Sequence, residues 1–339
     1  MIDNYMGKDG FIWFMGVVED RHDPMKLGRC RVRCLGFHTQ DKVAIPTEDL
    51  PWATPVQPIT SASMHGIGQS PLGPVEGSWV VGFFRDGPNA QEPIIFGTVG
   101  GAPQTMADTS KGFYDPNGVY PKEEFIEEPD TNRLARGVTL GTIVDAKINA
   151  AAENSNLPTA NGMGGIWSEP KTPYGATYPH NHVYESESGH VQEFDDTPGA
   201  ERIHTFHRTG TFDEIYPDGS KVTKVMGQDY EISMLNKFIH IKGNANVIIG
   251  DDAAVSNLTL YVKGNVDLQV DGNVTENISG NVDQIVSGGT INIESKPGMG
   301  GIGSINIDAK GQLDIHSVGN MTLGSDTHLR LTAPFIDLN

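Results

Sequence analysis

The 339-residue chain reads as a mainly β protein, and three observations point there. Its 41 glycines and 21 prolines punctuate short segments of alternating apolar and polar residues. Helical periodicity is scarce. Over residues 264–288, GNVDLQVDGNVTENISGNVDQIVSG, Gly-Asn returns every eight residues. Eight is an even step, so each repeat turns the same strand face inward.

The first region, 1–101, predicts about five strands, each ending in Gly or Pro. FIWFMGVVEDR passes through the turn HDPMKLG into RCRVRCLGFH, and GSWVVGFFRDG and EPIIFGTVG follow. So many short strands in so little chain suggest a small closed barrel, with an OB-fold as the natural form. In the second strand Cys30, Val32 and Cys34 share one face, and Arg29, Arg31 and Arg33 share the other. The two cysteines lie roughly 13 Å apart at ~3.3 Å per residue, too far for a mutual disulfide, and are read as buried thiols. The arginine stripe is a candidate partner-facing strand. It is not read as a nucleic-acid groove, because the chain carries a formal charge of -19.

The second region, 102–180, is rich in Pro, Gly and Asn and reads as an extended linker laid along other surfaces. GTIVDAKINAAAENSN predicts its one short helix, near 142–153, on alanine propensity. The acidic group Glu123, Glu124, Glu127, Glu128 and Asp130 is read as solvated, since a glycosidase pair needs a cleft that separates two carboxyl pKa values.

The third region, 181–339, carries the octads. Leu258, Leu260, Val262, Val266, Leu268, Val270, Val274, Ile278, Val282 and Val286 fall on one parity. With shifted parity the pattern resumes at Ile305, Ile307, Leu313 and Ile315, after an interruption at ESKPGMGGIGS. Gly264, Gly272, Gly280, Gly288, Gly311 and Gly319 mark the corners, where a missing Cβ permits unusual dihedrals or close backbone approach. One octad cannot surround its own core. Its apolar face must be covered by successive turns of one chain or by three chains wound together, and periodicity leaves both open.

Several chemistries are set aside. A calcium β-roll needs Gly-Gly-x-Gly-x-Asp, and GGIGSINID puts Ile305 where the Asp belongs. His316 and His328 have outward parity, and His180 and His182 are read as surface residues. No metal, cofactor or catalytic arrangement is expected. No run reaches the ~18 apolar residues of a membrane helix, and MIDNYMGKDGFIWFMG lacks the pattern of a secretory signal, so cytosolic synthesis is expected.

The stretches GVVEDRHDPMKLGRCRVRCLGFH, IPTEDLPWATPVQPITSASMHGIG, PQTMADTSKGFYDPNGVYP, NRLARG and YPHNHVYESESGHVQEFDDTPGAERIHTFHRTGTFDEIYPDGS, together with the octads, cover nearly the whole chain. They resemble the central spike proteins of contractile-tailed phage baseplates of the T-even type and, more distantly, the valine-glycine-repeat spikes of type VI secretion. The resemblance implies an N-terminal OB-fold docked on a trimeric hub, intertwined lead-in strands over 181–235, and a trimeric triple-stranded β-helix over 236–339. It thereby favours three chains over one. It also implies a virion protein of the tail baseplate tip, made in the host cytoplasm, that pierces the host outer membrane on sheath contraction. A separate conical tip protein at the C-terminal end is a further implied partner; nucleic acid is not. T-even members insert a lysozyme domain between barrel and spike. Here NRLARG, at 132–137, is followed by the lead-in at 181, and no muralytic Glu and Asp are identifiable. The expectation is therefore a structural spike and no enzyme. The alternative is a tailspike or adhesin that cleaves or binds glycan, for which Asp267, Asp271 and Asp283 face outward without an aromatic sugar platform.

Overall fold

The computed structural model describes residues 11–158, 166–250, 256–296 and 303–334. Two compact units divide the chain between Thr259 and Leu260.

The first unit begins with a closed barrel. Its strands are β1 (Trp13–Asp20), β2 (Cys30–Cys34), β3 (Trp52–Pro55), β4 (Trp79–Phe84) and β5 (Pro93–Thr98), in the order β1-β2-β3-β5-β4 with β4 returning to β1. Neighbours are antiparallel except β3 and β5, which run parallel. This is the expected OB-type barrel. Period-two alternation sends Phe14, Val18, Val32, Ala53, Val80, Phe84 and Ile95 inward, with Cys30 and Cys34. Both cysteines are free, and burial pushes their thiols up to about 11 and about 12. Gly16 lets β1 lie close on β2, because a Cβ there would sit 2.5 Å from Val32 Cγ1.

From residue 99 the chain wraps over the barrel in turns and loops. Buried Asp115 organises one loop by accepting the backbone N–H groups of Asn117, Val119 and Tyr120. A single helix follows, α1 (Ile143–Glu153), started by the Thr142 hydroxyl, which accepts the Val144 N–H at 3.3 Å. Its buried residues Val144, Lys147 and Ala151 recur three and four apart, on one face. A short ladder of β6 (Leu157–Pro158) and β7 (Ile166–Trp167) comes next.

Five hairpin-linked strands complete the unit: β8 (Asn181–Glu185), β9 (Val191–Asp195), β10 (Arg202–Phe206), β11 (Phe212–Ile215) and β12 (Lys221–Lys224). They form one antiparallel sheet in sequence order. Gly210 turns a hairpin at φ +98°, in the region that only glycine enters freely. Within the chain, residues 181–224 pair as hairpins, whose tight turns close each ladder locally. α1 and the wrapped segment cover one sheet face through Leu134, Val144, Val191, Phe206 and Phe212. Beyond Lys224 the described residues form neither helix nor sheet.

Candidate functional site

In the octads, sequence and burial part company. Leu258, Leu260, Val262, Val266, Leu268, Val270, Val274, Ile278, Val282, Val286, Ile305, Ile307, Leu313 and Ile315 are all exposed, from 43% at Val262 to 80% at Leu268. Within each block they share one parity, and none of the described residues buries them. Covering one such side chain is worth about 1.5–3 kcal/mol, and a contiguous apolar surface this long marks an interaction face. Of the six corner glycines, only Gly288 takes a left-handed φ, +79°. At all six a Cβ would meet no atom within 4 Å. Close approach, the other reason for glycine, is not supplied by this chain.

A second apolar face lies on the sheet. Phe194, Ile203 and Ile215 are neighbours across β9, β10 and β11 and point away from α1, each 38–48% exposed. The alternation is mixed: the inward face carries Glu193, Arg202, His204 and Glu214 beside Val191, Phe206 and Phe212, while Phe194, Ile203 and Ile215 point outward.

The inward face holds a buried ionic network. Glu193, His204 and Glu214 form one cross-strand row, with Arg202 beside it and Lys147 reaching down from α1. Arg202 donates to Glu193 at 2.7 Å and to Glu214 at 2.9 Å, while Lys147 donates to Glu214 at 2.6 Å. The Lys147 ammonium also approaches His204 Nε2 at 3.2 Å. Only an acceptor suits that contact, so the imidazole proton sits on Nδ1 and is donated to Glu193 at 2.7 Å. Two cations and two anions then balance around a neutral ring. Burial lowers His204 and pushes Lys147 down to about 8, against the pull of Glu214. Burial would raise Glu193, but the bonds from His204, Asn181 and Arg202 outweigh it and hold the carboxyl at about 2. Nothing in this network is aimed at solvent, which suits a positioning role for α1. In VQEFD, RIHTF and FDEI these charged residues read as solvent-facing, and sequence reasoning missed the network.

The arginine stripe corrects an expectation. Arg33 is fully buried, pairing with Glu19 at 2.6 Å beneath Gly112 of the wrapped segment. Arg29 is held by Asp23 at 2.7 Å, and Arg31 donates to the Leu50 carbonyl and stacks over Trp52. All three are engaged inside the barrel unit and do not form a free partner-facing edge. The acidic group is partly spent as well, since Glu128 pairs with Arg133 and Arg136. Among the described residues one trio of ligand-type groups comes together, Asp20, His22 and Glu76, which sequence spacing does not reveal.

Two family models match this chain. One, described as the Gp5 N-terminal OB domain, covers residues 36–174, and the other, the Gp5 C-terminal repeat (3 copies), covers 256–279. Protein Gp5 of Vibrio phage KVP40 is 46% identical over 290 residues, which is 77% of this chain and 68% of that protein. The pre-baseplate central spike protein Gp5 of Enterobacteria phage T4 is 47% identical over 153 residues, 44% of this chain and 25% of that protein. A barrel of OB topology, a matched octad array and identity at this level over two thirds of a relative lead to one conclusion: the chain belongs to the Gp5 family of phage baseplate central spike proteins.

Proposed function

We propose that this chain is the puncturing spike of a contractile tail, acting as a homotrimer. The observation that carries the reading is the uncovered octad stripe, fourteen apolar residues exposed in the single chain. Three chains wound about one axis bury it on every face and let the octad glycines meet a neighbour's backbone. The outward row Phe194, Ile203 and Ile215 supports the same partner, a second copy against the sheet. A rod whose backbone groups pair across chains has few edges to open, so it withstands being driven through the host outer membrane.

In this reading the barrel docks on the hub beneath the tail tube. Two carboxylates near the NRLARG segment are engaged in structure, Glu128 with two arginines and Glu185 with Asn132, and only residues 138–180 separate that segment from the β8–β12 sheet, with no muralytic Glu and Asp identifiable among them. We infer accordingly that the protein does not cleave peptidoglycan. Light scattering on the full chain tests the reading. A mass three times that of the 36.6 kDa chain is expected, and a soluble monomer at micromolar concentration overturns it. Release of muropeptides from purified cell walls would overturn the non-enzymatic part, and hydrolysis of host polysaccharide would favour a tailspike instead.

A further inference from the structure

One cluster of ligand-type side chains lies apart from the repeat face and the ionic network. Asp20 closes β1, His22 follows two residues later, and Glu76 stands in the loop that leads to β4. One ligand atom from each lies within 4.8 Å of the other two. The His22 side chain is 79% exposed, whereas Glu76 is only 4% exposed.

Acidic groups often gather on surfaces without an ion, so the decisive atom is Glu76 Oε1. The other oxygen, Oε2, pairs with Arg21 Nε at 3.1 Å, but Oε1 is buried and has no hydrogen-bond partner. A carboxylate oxygen kept from water is costly unless something positive meets it. His22 Nδ1 faces it at 3.7 Å, beyond hydrogen-bond reach, and lies 3.1 Å from Asp20 Oδ1. Metal–ligand bonds of about 2.0–2.2 Å span those two separations at angles of roughly 95–125°, which a four- or five-coordinate ion accepts. Asp20 Oδ1 is already steadied by the His22 backbone N–H at 2.8 Å. The surrounding charge permits a cation, since the carboxylates Asp20, Glu76 and Glu187 stand against two guanidinium groups, Arg21 and Arg31.

We propose that Asp20, His22 and Glu76 bind one divalent cation of the zinc class, leaving the remaining coordination to solvent. One imidazole with two carboxylates favours zinc or a neighbouring first-row metal over calcium or magnesium, which prefer oxygen alone. The site also has a structural consequence. Arg21, between two of the ligands, holds Glu187 at 2.7 Å, and Glu187 takes the Tyr120 hydroxyl at 2.6 Å. A bound ion pins the loop that ties the barrel to the β8–β12 sheet.

The test is titration of metal-stripped, full-length protein with Co2+, followed by its visible d–d absorption, and then displacement by Zn2+. One site per chain is expected. His22→Ala should weaken Co2+ binding at least tenfold and abolish the bands, and Glu76→Gln should weaken it as well. The paired change His180→Ala and His182→Ala should leave both unchanged. Zn2+ should raise the melting temperature of the unaltered protein and not that of H22A. Because His22 is exposed, H22A and the parent should melt alike in chelator. The proposal is overturned if no saturable Co2+ signal develops, if the signal survives H22A, or if it disappears with His180 and His182.

Discussion

At the scale of single residues, the barrel is held by an ion pair that no water reaches. Arg33 and Glu19 are both fully buried, and Glu19 also accepts from the Thr47 hydroxyl and the Phe113 N–H. Removing one partner strands the other's charge in a low-dielectric interior. Arg33→Met should therefore cost about 3–5 kcal/mol, and the double change with Glu19→Gln should recover part of it. Thermal unfolding of the three proteins measures that coupling. Glu193 makes a pH prediction. Its carboxyl titrates at about 2 in the folded chain, against an ordinary 4.5. Between those values the unfolded state binds more protons, so the stabilisation is complete above about pH 4.5 and drains away as pH falls toward 2. Melting temperature should fall through that window, and Glu193→Gln, though less stable at pH 7, should show a shallower decline.

At the scale of elements, the octad stripe and the sheet answer to different substitutions. Val270→Asp puts one carboxylate per chain into the proposed threefold core, where three cannot all stay charged without partners. Sedimentation should show loss of the trimer, while the barrel and the β8–β12 sheet keep their circular dichroism. An unchanged trimer would mean that even positions do not face inward. Ile203→Lys on the outward row should weaken association less, because it alters one apolar row of a sheet that is already paired.

The elements also differ in how far the sequence exposes them. The barrel strands and α1 are legible because alternation, turn residues and alanine propensity agree with the final packing. The octad repeat is legible from its period alone, and the repeat model matches it over 256–279. Strands β9–β11 mislead because all their charged residues except Asp213 are buried: Glu193, Arg202 and His204 look like solvent-facing positions until Lys147 arrives from a helix some fifty residues away. Asp20, His22 and Glu76 share no sequence spacing at all, and only the return of the chain into β4 brings them together. Arg33 fails as a surface residue because the wrapped segment, which has no periodicity to announce its path, lies over it.

At the scale of the whole molecule, charge is the term left to balance. The chain carries a formal -19, and the proposed trimer would set three such charges side by side. Residues 236–339 hold 11 acidic and 6 basic residues, a net -5, and the octads place Asp267, Asp271 and Asp283 on the parity opposite the apolar stripe, so repulsion between copies acts along the proposed shaft as well. Screening falls off over about 10 Å at 0.1 M salt and about 30 Å at 0.01 M, which is the range of neighbouring carboxylates on a narrow rod. The trimer should therefore melt at a higher temperature as sodium chloride rises from low to moderate concentration. Buried pairs such as Arg33 with Glu19 are poorly screened, so the barrel's own unfolding should move much less. Replacing Asp267, Asp271 and Asp283 with Asn should flatten the salt dependence of the trimer and leave that of the barrel unchanged. In the proposed spike, the same anionic face would repel anionic membrane surfaces. Changing those residues to Lys should increase retention on vesicles containing anionic lipid, measured by co-sedimentation at low salt, and the increase should vanish at high salt. Equal retention of the parent and Lys proteins at low salt would show that shaft charge does not govern contact with the membrane.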